Sequence, residues 1–224
     1  MQPDPLGDIT VLCAHPRLVA IDKPAGMLST PGKGPEKQDC AVARVRALFP
    51  AAAGPVLVHR LDMETSGVMV FALDADAHRE LSRQFEKRET EKRYVGVLAG
   101  EVVGDAGEVR LMQRPDIDNR PHQMLDPVHG KEAVTRWRVL ERSELDGGVR
   151  TRIEFTPITG RSHQLRIASA TPRGKGGLGA PIVGDTLYGG GRAEHPRMLL
   201  HAERLVVSDP DSGDRLLFDC PPAF

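Results

Sequence analysis

The sequence predicts a single α+β domain, spanning residues 1–224, on a mixed, largely antiparallel sheet flanked by about three helices and loops. Three observations lead to this prediction: many short runs with strand character, few segments with helical spacing, and no internal repeat or clear linker. A chain of 224 residues that is 40% hydrophobic is long enough to bury a substantial core.

The stretch 58–73, VHRLDMETSGVMVFAL, is the most informative part of the chain. Its second half, 67–73, is a continuous apolar run rich in β-branched and aromatic residues, which predicts a strand buried on both faces. The residues before it, including His59, Arg60 and Asp62, form a charged loop. Such a loop can hold a reactive group rigidly at the edge of a core. Taken alone, Asp62 could equally be a turn residue or one half of an ion pair.

Local patterns predict the other elements. The clearest helix is 74–88, where Asp74 can cap the N-terminus and Ala77, Leu81 and Phe85 form one apolar stripe. A second helix, over 40–49, should end before Pro50. Strands are predicted at 9–14, 18–22, 93–99, 132–141, 149–155, 197–207 and 215–218, with a hairpin turn at 146–148 and a helix-like segment at 159–170.

A basic segment follows the predicted hairpin. The residues from 161 through 175 include no acidic side chain and four basic ones: Arg161, Arg166, Arg173 and Lys175. This pattern suits contacts with phosphate groups. The glycine-rich part, RGKGGLG at 173–179, is predicted to be a mobile loop, and it lacks the spacing of a nucleotide-binding P-loop.

Composition excludes several classes of protein. The net charge of −1 means that any nucleic-acid binding must come from a local basic face. Three widely separated cysteines favour neither a disulfide framework nor a zinc ribbon. Neither a signal peptide nor a membrane span is expected, so a cytoplasmic location is predicted. His195 and His201 have no partner at metal-ligand spacing, and no serine or cysteine lies in a nucleophile elbow.

Several motifs in order resemble the RluA family of pseudouridine synthases. They are AIDKPAGMLSTPG, HRLDMETSGVMVFAL, KRYVGVLAGEV, TGRSHQLRI, PIVGDTLYG and RMLLHAERL, and they extend over nearly the whole chain. The stretches QFEKRETEKRYVGVLAGEV and DIDNRPHQ, with no S4-type RNA-binding module, resemble the RluA branch of that family. That branch acts on a 23S ribosomal RNA hairpin loop and on the tRNA anticodon loop.

The resemblance implies a pseudouridine-synthase-like domain with a central active-site cleft, and an isomerase that needs no cofactor, metal or ATP. It assigns Asp62 as the catalytic carboxylate, which acts as nucleophile or stabiliser. Arg166 would be the neighbouring cation that favours ionised Asp62, with a phosphate contact as the alternative role. Tyr94 would stack on the uracil or handle the C5 proton; without the resemblance it would be an ordinary core residue.

The remaining site predictions concern RNA contacts and the wall of the pocket. Arg60 matches the arginine that fills the space of a flipped base, although a surface ion pair with Glu64 is the simpler alternative. His59 and His163 are expected to orient loops rather than to react. The predicted RNA-binding set is Arg60, His59, Arg161, His163, Arg173 and Lys175. The predicted pocket wall is Leu61, Leu199 and Leu200, and for the last two ordinary core is nearly as good an interpretation.

The chain departs from the family pattern after GRSHQLR. An apparent basic, glycine-rich insertion at 172–180 precedes the GDTLYG motif, and we expect Arg173 and Lys175 there to add phosphate contacts. The expected partner is structured RNA, either 23S ribosomal RNA or a tRNA anticodon stem-loop or both, with no membrane or protein partner and a monomeric state. Two alternatives stay open: a non-catalytic RNA-binding or RNA-folding protein on the same fold, and a glycoside hydrolase with Glu64 as a second carboxyl group.

Overall fold

The computed structural model describes residues 9–145, 148–189 and 195–224. The chain divides into two compact units, one comprising Met1–Lys92 and His201–Ala223, the other Arg93–Leu200 with Phe224. None of the helices in the described residues is long and apolar enough to cross a membrane. The described elements are β1 (Thr10–Ala14), β2 (Leu18–Lys23), α1 (Ala41–Leu48), β3 (Ser66–Ala72), α2 (Ala75–Lys87), β4 (Glu91–Ala99), β5 (Ala106–Pro115), β6 (Gln123–Leu125), β7 (Lys131–Leu145), β8 (Gly148–Pro157), α3 (Gln164–Ala170), β9 (Leu200–Ser208) and β10 (Arg215–Asp219), with two short 3-10 turns at Pro35–Lys37 and Arg173–Lys175.

The first unit is organised around β3. This strand pairs antiparallel with β2, which in turn pairs antiparallel with β1. Every residue of β3 is buried, which confirms the strand predicted from its continuous apolar run. Its first two residues pair in parallel with the start of β9, and β10 pairs antiparallel with the rest of β9. A Cβ atom on Gly67 would lie 2.3 Å from the Ala202 carbonyl oxygen, so this close pairing requires glycine.

Helix α2 forms as its capping pattern predicts. The Asp74 carboxylate accepts hydrogen bonds from the backbone N–H groups of Asp76 and Ala77, at 3.0 and 2.9 Å. Ala77 and Leu81 are fully buried on its inner face. Helix α1 begins after Cys40, within the predicted range, and its Val45 side chain is buried.

In the second unit the described strands pair in the order β4, β8, β7, β5, β6, each antiparallel to its neighbour. Strand β7 has exposed charged residues alternating with more buried ones, which confirms the predicted strand with one wet face. Apolar side chains of β4, β5, β8 and α3 form a common core in this unit. Residues 146 and 147 of the predicted hairpin turn lie outside the described residues.

One local prediction in this unit was wrong in its bounds. The helix expected over 159–170 begins only at Gln164, because the Gln164 side chain accepts hydrogen bonds from the Thr159 hydroxyl and the Arg161 N–H, holding the preceding residues in a non-helical turn. The segment 173–179, predicted to be a mobile loop, folds back onto the end of α3, and its mobility stays a prediction. Its Leu178 is buried and donates a backbone hydrogen bond to Ala168 at 2.9 Å.

The α+β class and the mixed, mainly antiparallel strand pairing are confirmed. A single catalytic domain over residues 1–224 and a central cleft stay predictions.

Candidate active site

The loop that carries Asp62 runs along the edge of β3. The Ala72 N–H donates to the Val56 carbonyl oxygen at 2.8 Å, as in a strand pair. Further along, the Val70 N–H donates to the Nε2 atom of His59 at 3.0 Å. The imidazole thus takes the place of a backbone acceptor, and the chain leaves the strand edge just before Asp62.

His59 is held as a neutral ring. Its Nε2 atom accepts a hydrogen bond and therefore carries no proton. The ring stacks on Phe85, with centroids 4.4 Å apart and an interplanar angle of 14°. Burial, and secondarily the positive charge of Lys92, lower the pKa of His59 to about 3. This geometry agrees with the expected orienting function, whereas contact of His59 with RNA stays a prediction.

Ser29 fixes the residue before Asp62. Its buried hydroxyl donates to the Leu61 carbonyl oxygen at 2.6 Å and accepts from the Leu61 N–H at 3.1 Å. Beyond Leu61, the Thr65 N–H donates to the Asp62 carbonyl oxygen at 3.1 Å, which closes a tight turn. Leu61 itself is buried, and its place in a pocket wall stays a prediction.

Lys23 holds the same turn from the other side. Its side chain is fully buried, and the ammonium group donates to the carbonyl oxygens of Pro24, Met27 and Met63, at 2.8, 2.8 and 3.1 Å. A buried charge is tolerated only when it is well hydrogen-bonded, and three acceptors meet that requirement. The contact to Met63 fastens the residue that follows Asp62.

The buried ammonium group also places a positive charge near the predicted catalytic carboxylate. Burial lowers the pKa of Lys23 to about 8, while attraction to the carboxylates of Glu64, Asp62 and Asp22 opposes that shift. Sequence reasoning did not single out Lys23, although it lies in the quoted AIDKPAGMLSTPG motif. The available signal was a lysine at the end of an apolar strand, a position where a side chain is expected to be buried.

Arg166 lies on α3 in the second unit and is only 3% exposed. Its Nε and Nη2 atoms donate to the two carboxylate oxygens of Asp185, at 2.8 and 2.6 Å. Asp185 also accepts from the backbone N–H groups of Leu187 and Tyr188, at 3.0 and 3.1 Å. A bidentate contact of this kind fixes the plane of the guanidinium group. Sequence reasoning did not single out Asp185, although it lies in the quoted GDTLYG motif.

The predicted pairing of Arg166 with Asp62 joins residues of the two units and stays a prediction. Arg60, in the first unit, is exposed. Tyr94 lies on β4 opposite Phe155 of β8 and is partly buried against the core of the second unit.

The other predicted residues of the second unit have varied surroundings. The Arg161 side chain donates from Nε to the Glu132 carbonyl oxygen at 3.1 Å. Arg173 and Lys175 are exposed on a single 3-10 turn. Leu199 and Leu200 are buried, and Leu200 belongs to the hydrophobic core, so their assignment to a pocket wall stays a prediction.

One group of potential metal ligands also occurs among the described residues, against the expectation from spacing. Ligand atoms of Asp22, His201 and Cys220 lie within 4.8 Å of one another. Both ring nitrogens of His201 already have protein partners, the Ser66 hydroxyl at 2.8 Å and the Cys220 carbonyl oxygen at 2.7 Å. Burial, together with nearby Asp22, raises the pKa of the Cys220 thiol to about 12. The two ring nitrogens of His201 are thus engaged in hydrogen bonds within the protein.

Comparison with known proteins defines the class to which this fold and these residues belong. The family model for RNA pseudouridylate synthases matches residues 17–171, and the chain belongs to that family. It is therefore an isomerase that acts on RNA.

Individual relatives match most of the chain. The chain is 44% identical over 209 residues to the dual-specificity RNA pseudouridine synthase RluA of Haemophilus influenzae, covering 92% of this chain and 90% of that one. It is 40% identical over 216 residues to the protein of the same name from Yersinia pestis, covering 96% and 99%. Among solved structures, human RNA pseudouridylate synthase domain containing 1 has a TM-score of 0.79 at 26% identity, covering all of this chain and 87% of that one.

Proposed function

We propose that this enzyme converts uridine to pseudouridine in two RNA substrates, a 23S ribosomal RNA hairpin loop and a tRNA anticodon loop. The observation that carries the proposal is the similarity, over nearly the full length of both chains, to relatives named dual-specificity synthases. The motif resemblance to the RluA branch supplies the two RNA classes. In this proposal the enzyme works in the cytoplasm as a monomer, and RNA is its partner.

The reaction is an isomerisation. The bond from N1 of the uracil to C1′ of the ribose breaks, a bond from C5 to C1′ forms, and the C5 proton is lost while N1 gains one. Asp62 supplies the carboxylate that acts as nucleophile or stabiliser during cleavage. The turn that carries it is held by Ser29 and Lys23 through buried hydrogen bonds, so the carboxylate is positioned before the substrate arrives.

Arg166 is proposed to favour ionised Asp62 and to orient it. Asp185 occupies one edge of the guanidinium group, the edge formed by Nε and Nη2. A guanidinium has five N–H donors, so it can donate to a second group while Asp185 fixes its plane. Arginine stays charged even when buried, which suits this function better than lysine would.

The target uridine has to leave its stack before it can react. Tyr94 is proposed to stack on the extruded uracil and to handle the C5 proton through its hydroxyl group. Exposed Arg60 is proposed to enter the space that the base leaves. The predicted RNA-binding residues on the second unit would then contact the backbone of the RNA.

Pseudouridine mapping on total RNA tests the proposal. Carbodiimide-dependent reverse-transcription stops are compared in cells with the gene, without it, and complemented by Asp62→Asn. We expect loss of one site in 23S ribosomal RNA and one in tRNA, restored by the wild type and not by Asp62→Asn. Asp76→Asn, which neutralises an exposed aspartate on α2, is the matched control and should restore both sites. Restoration of the sites by Asp62→Asn would show that catalysis does not depend on the Asp62 carboxylate. Loss of only one site in cells without the gene would overturn dual specificity.

A further inference from the structure

Tyr188 contacts Arg166 and also Asp185, the ion-pair partner of Arg166. It follows Asp185 by three residues, and its backbone N–H is tied to the Asp185 carboxylate. Its ring lies beneath the guanidinium group, with the central carbon of Arg166 5.2 Å from the ring centroid. The rings of His122 and His163 stand nearly perpendicular to the Tyr188 ring, with centroids 5.7 and 5.6 Å from its centroid.

The Tyr188 hydroxyl makes hydrogen bonds to two other parts of the second unit. It accepts from the Gln123 N–H at the start of β6, at 2.8 Å. It also lies 2.8 Å from the Nδ1 atom of His163. The hydroxyl group therefore joins the start of β6 to the residue that precedes α3.

His163 is the residue immediately before α3, and its backbone has φ of 55°. A residue with a side chain is disfavoured in this left-handed region and adopts it only when surrounding contacts hold it there. The hydrogen bond between His163 and Tyr188 is one such contact. Because α3 carries Arg166 two residues after its first residue, fixing His163 also fixes the start of the helix that presents Arg166.

We propose that Tyr188 is a positioning residue for Arg166, acting directly through its ring and indirectly through His163. The cation–π contact limits motion of the guanidinium group out of the plane that Asp185 sets. The hydroxyl limits rotation at the start of α3. The inference rests on the catalytic function proposed for Arg166, and it adds a residue that supports that function without touching the substrate.

Two substitutions separate the two contacts. Tyr188→Phe removes the hydroxyl and keeps the ring, whereas Tyr188→Leu removes both. With an RNA stem-loop substrate, we expect kcat to fall about fivefold for Tyr188→Phe and about fiftyfold for Tyr188→Leu, while KM stays within about twofold for both. The loss is graded because Tyr188→Phe removes one contact and Tyr188→Leu removes both. It falls on kcat because a misplaced cation weakens the chemical step more than it weakens RNA binding.

Controls distinguish positioning from general stability. Trp137→Leu removes another partly buried aromatic side chain that packs against the same core, and it should lower Tm without changing kcat. Adding Tyr188→Leu to Asp185→Asn should cost far less than it costs in the wild type, because both substitutions act through Arg166. Unchanged kcat in Tyr188→Leu, or full additivity with Asp185→Asn, would overturn the inference. Asp62→Asn, measured in the same assay, tests the proposed catalytic function separately. Activity in that variant would contradict the catalytic function of Asp62, and it would not contradict the positioning of Arg166 by Tyr188.

Discussion

The buried hydroxyl group of Ser29 donates to the carbonyl oxygen of Leu61 and accepts from its N–H, and so holds both backbone groups of the residue before Asp62. A side chain that hydrogen-bonds to both the N–H and the carbonyl oxygen of one residue replaces the two backbone hydrogen bonds that a neighbouring strand would make. In this loop that side chain belongs to a residue 32 positions earlier in the chain. The placement of Asp62 therefore depends on the fold of the first unit and not only on its own loop.

Replacing Ser29 by alanine should impair catalysis more than RNA binding. Ser29→Ala leaves two buried backbone groups of Leu61 without this partner, at a cost of about 1–3 kcal/mol for each group that stays unpaired. We expect kcat to fall about tenfold, KM to change less than about threefold, and Tm to decrease. Single-turnover kinetics and thermal unfolding measure these effects. Ser82→Ala on α2 is the control, and kcat equal to that control would show that the hydroxyl is unimportant for placing Asp62.

The neutral state of His59 predicts a pH dependence of stability. Its pKa is lowered from 6.5 to about 3 in the folded protein, so the unfolded chain binds more protons between these values. The free energy of unfolding should therefore decrease as the pH falls from 6.5 towards 3. In His59→Gln the amide oxygen can still accept from the Val70 N–H, but the side chain does not titrate.

The difference between wild type and His59→Gln identifies the contribution of this residue. Denaturant unfolding at pH 7, 6, 5 and 4 should show a shallower loss of stability in the variant, whatever its stability at pH 7. His129→Gln, at a position whose side chain is 77% exposed, should follow the wild-type curve. Parallel curves for wild type and His59→Gln would mean that the folded protein does not hold His59 as a neutral ring.

Much of the fold could be predicted because its signals are local. The apolar run of β3 and the Asp74 cap of α2 are contained in consecutive residues, and both elements formed where expected. The start of α3 could not be predicted, because it depends on a side-chain contact between Thr159 and Gln164 that competes with helix formation.

The candidate site was predictable only in part, for a related reason. Asp62 and Arg166 were found through motifs, whereas the residues that hold them come from distant parts of the chain. Lys23 contacts Met63 across 40 residues, and Asp185 contacts Arg166 across 19. Periodicity and spacing carry no information about such pairs. The position of Lys23 at the end of an apolar strand indicates burial, but the carbonyl oxygens that accept from its ammonium group are recognisable only after the fold is known.

The Arg166–Asp185 pair should be far more sensitive to neutralisation than a similar pair at the surface. Removing one partner of a buried ion pair costs about 3–5 kcal/mol, since the remaining charge stays buried without compensation. Asp185→Asn should therefore lower the free energy of unfolding by several kcal/mol and reduce kcat at least about tenfold. Unfolding in denaturant and single-turnover kinetics measure the two effects.

The chain offers a matched control for that substitution. Arg204 donates to both oxygens of Asp219, at 2.5 and 2.9 Å, with the same bidentate geometry. Both side chains are 37% exposed, so Asp219→Asn should change stability by less than about 1 kcal/mol and leave kcat unchanged. If Asp185→Asn and Asp219→Asn change the free energy of unfolding and kcat equally, burial of Arg166 is not the reason why the protein depends on Asp185.

The basic 3-10 turn at Arg173–Lys175 should contribute to RNA affinity and not to catalysis. Buried Leu178 and the backbone hydrogen bond to Ala168 hold the segment against α3, so its two exposed cations have a defined place on the surface. If both contact phosphates, Arg173→Ala/Lys175→Ala should reduce the slope of log affinity against log salt by about 1.4 to 1.8, and kcat at saturating RNA should not change. Filter binding of an RNA stem-loop at several salt concentrations measures the slope. Arg79→Ala/Lys87→Ala on α2 removes the same charge elsewhere and should leave the slope close to that of the wild type. A double variant at Arg173 and Lys175 that binds and modifies RNA like the wild type at moderate salt would show that this turn does not contact the substrate.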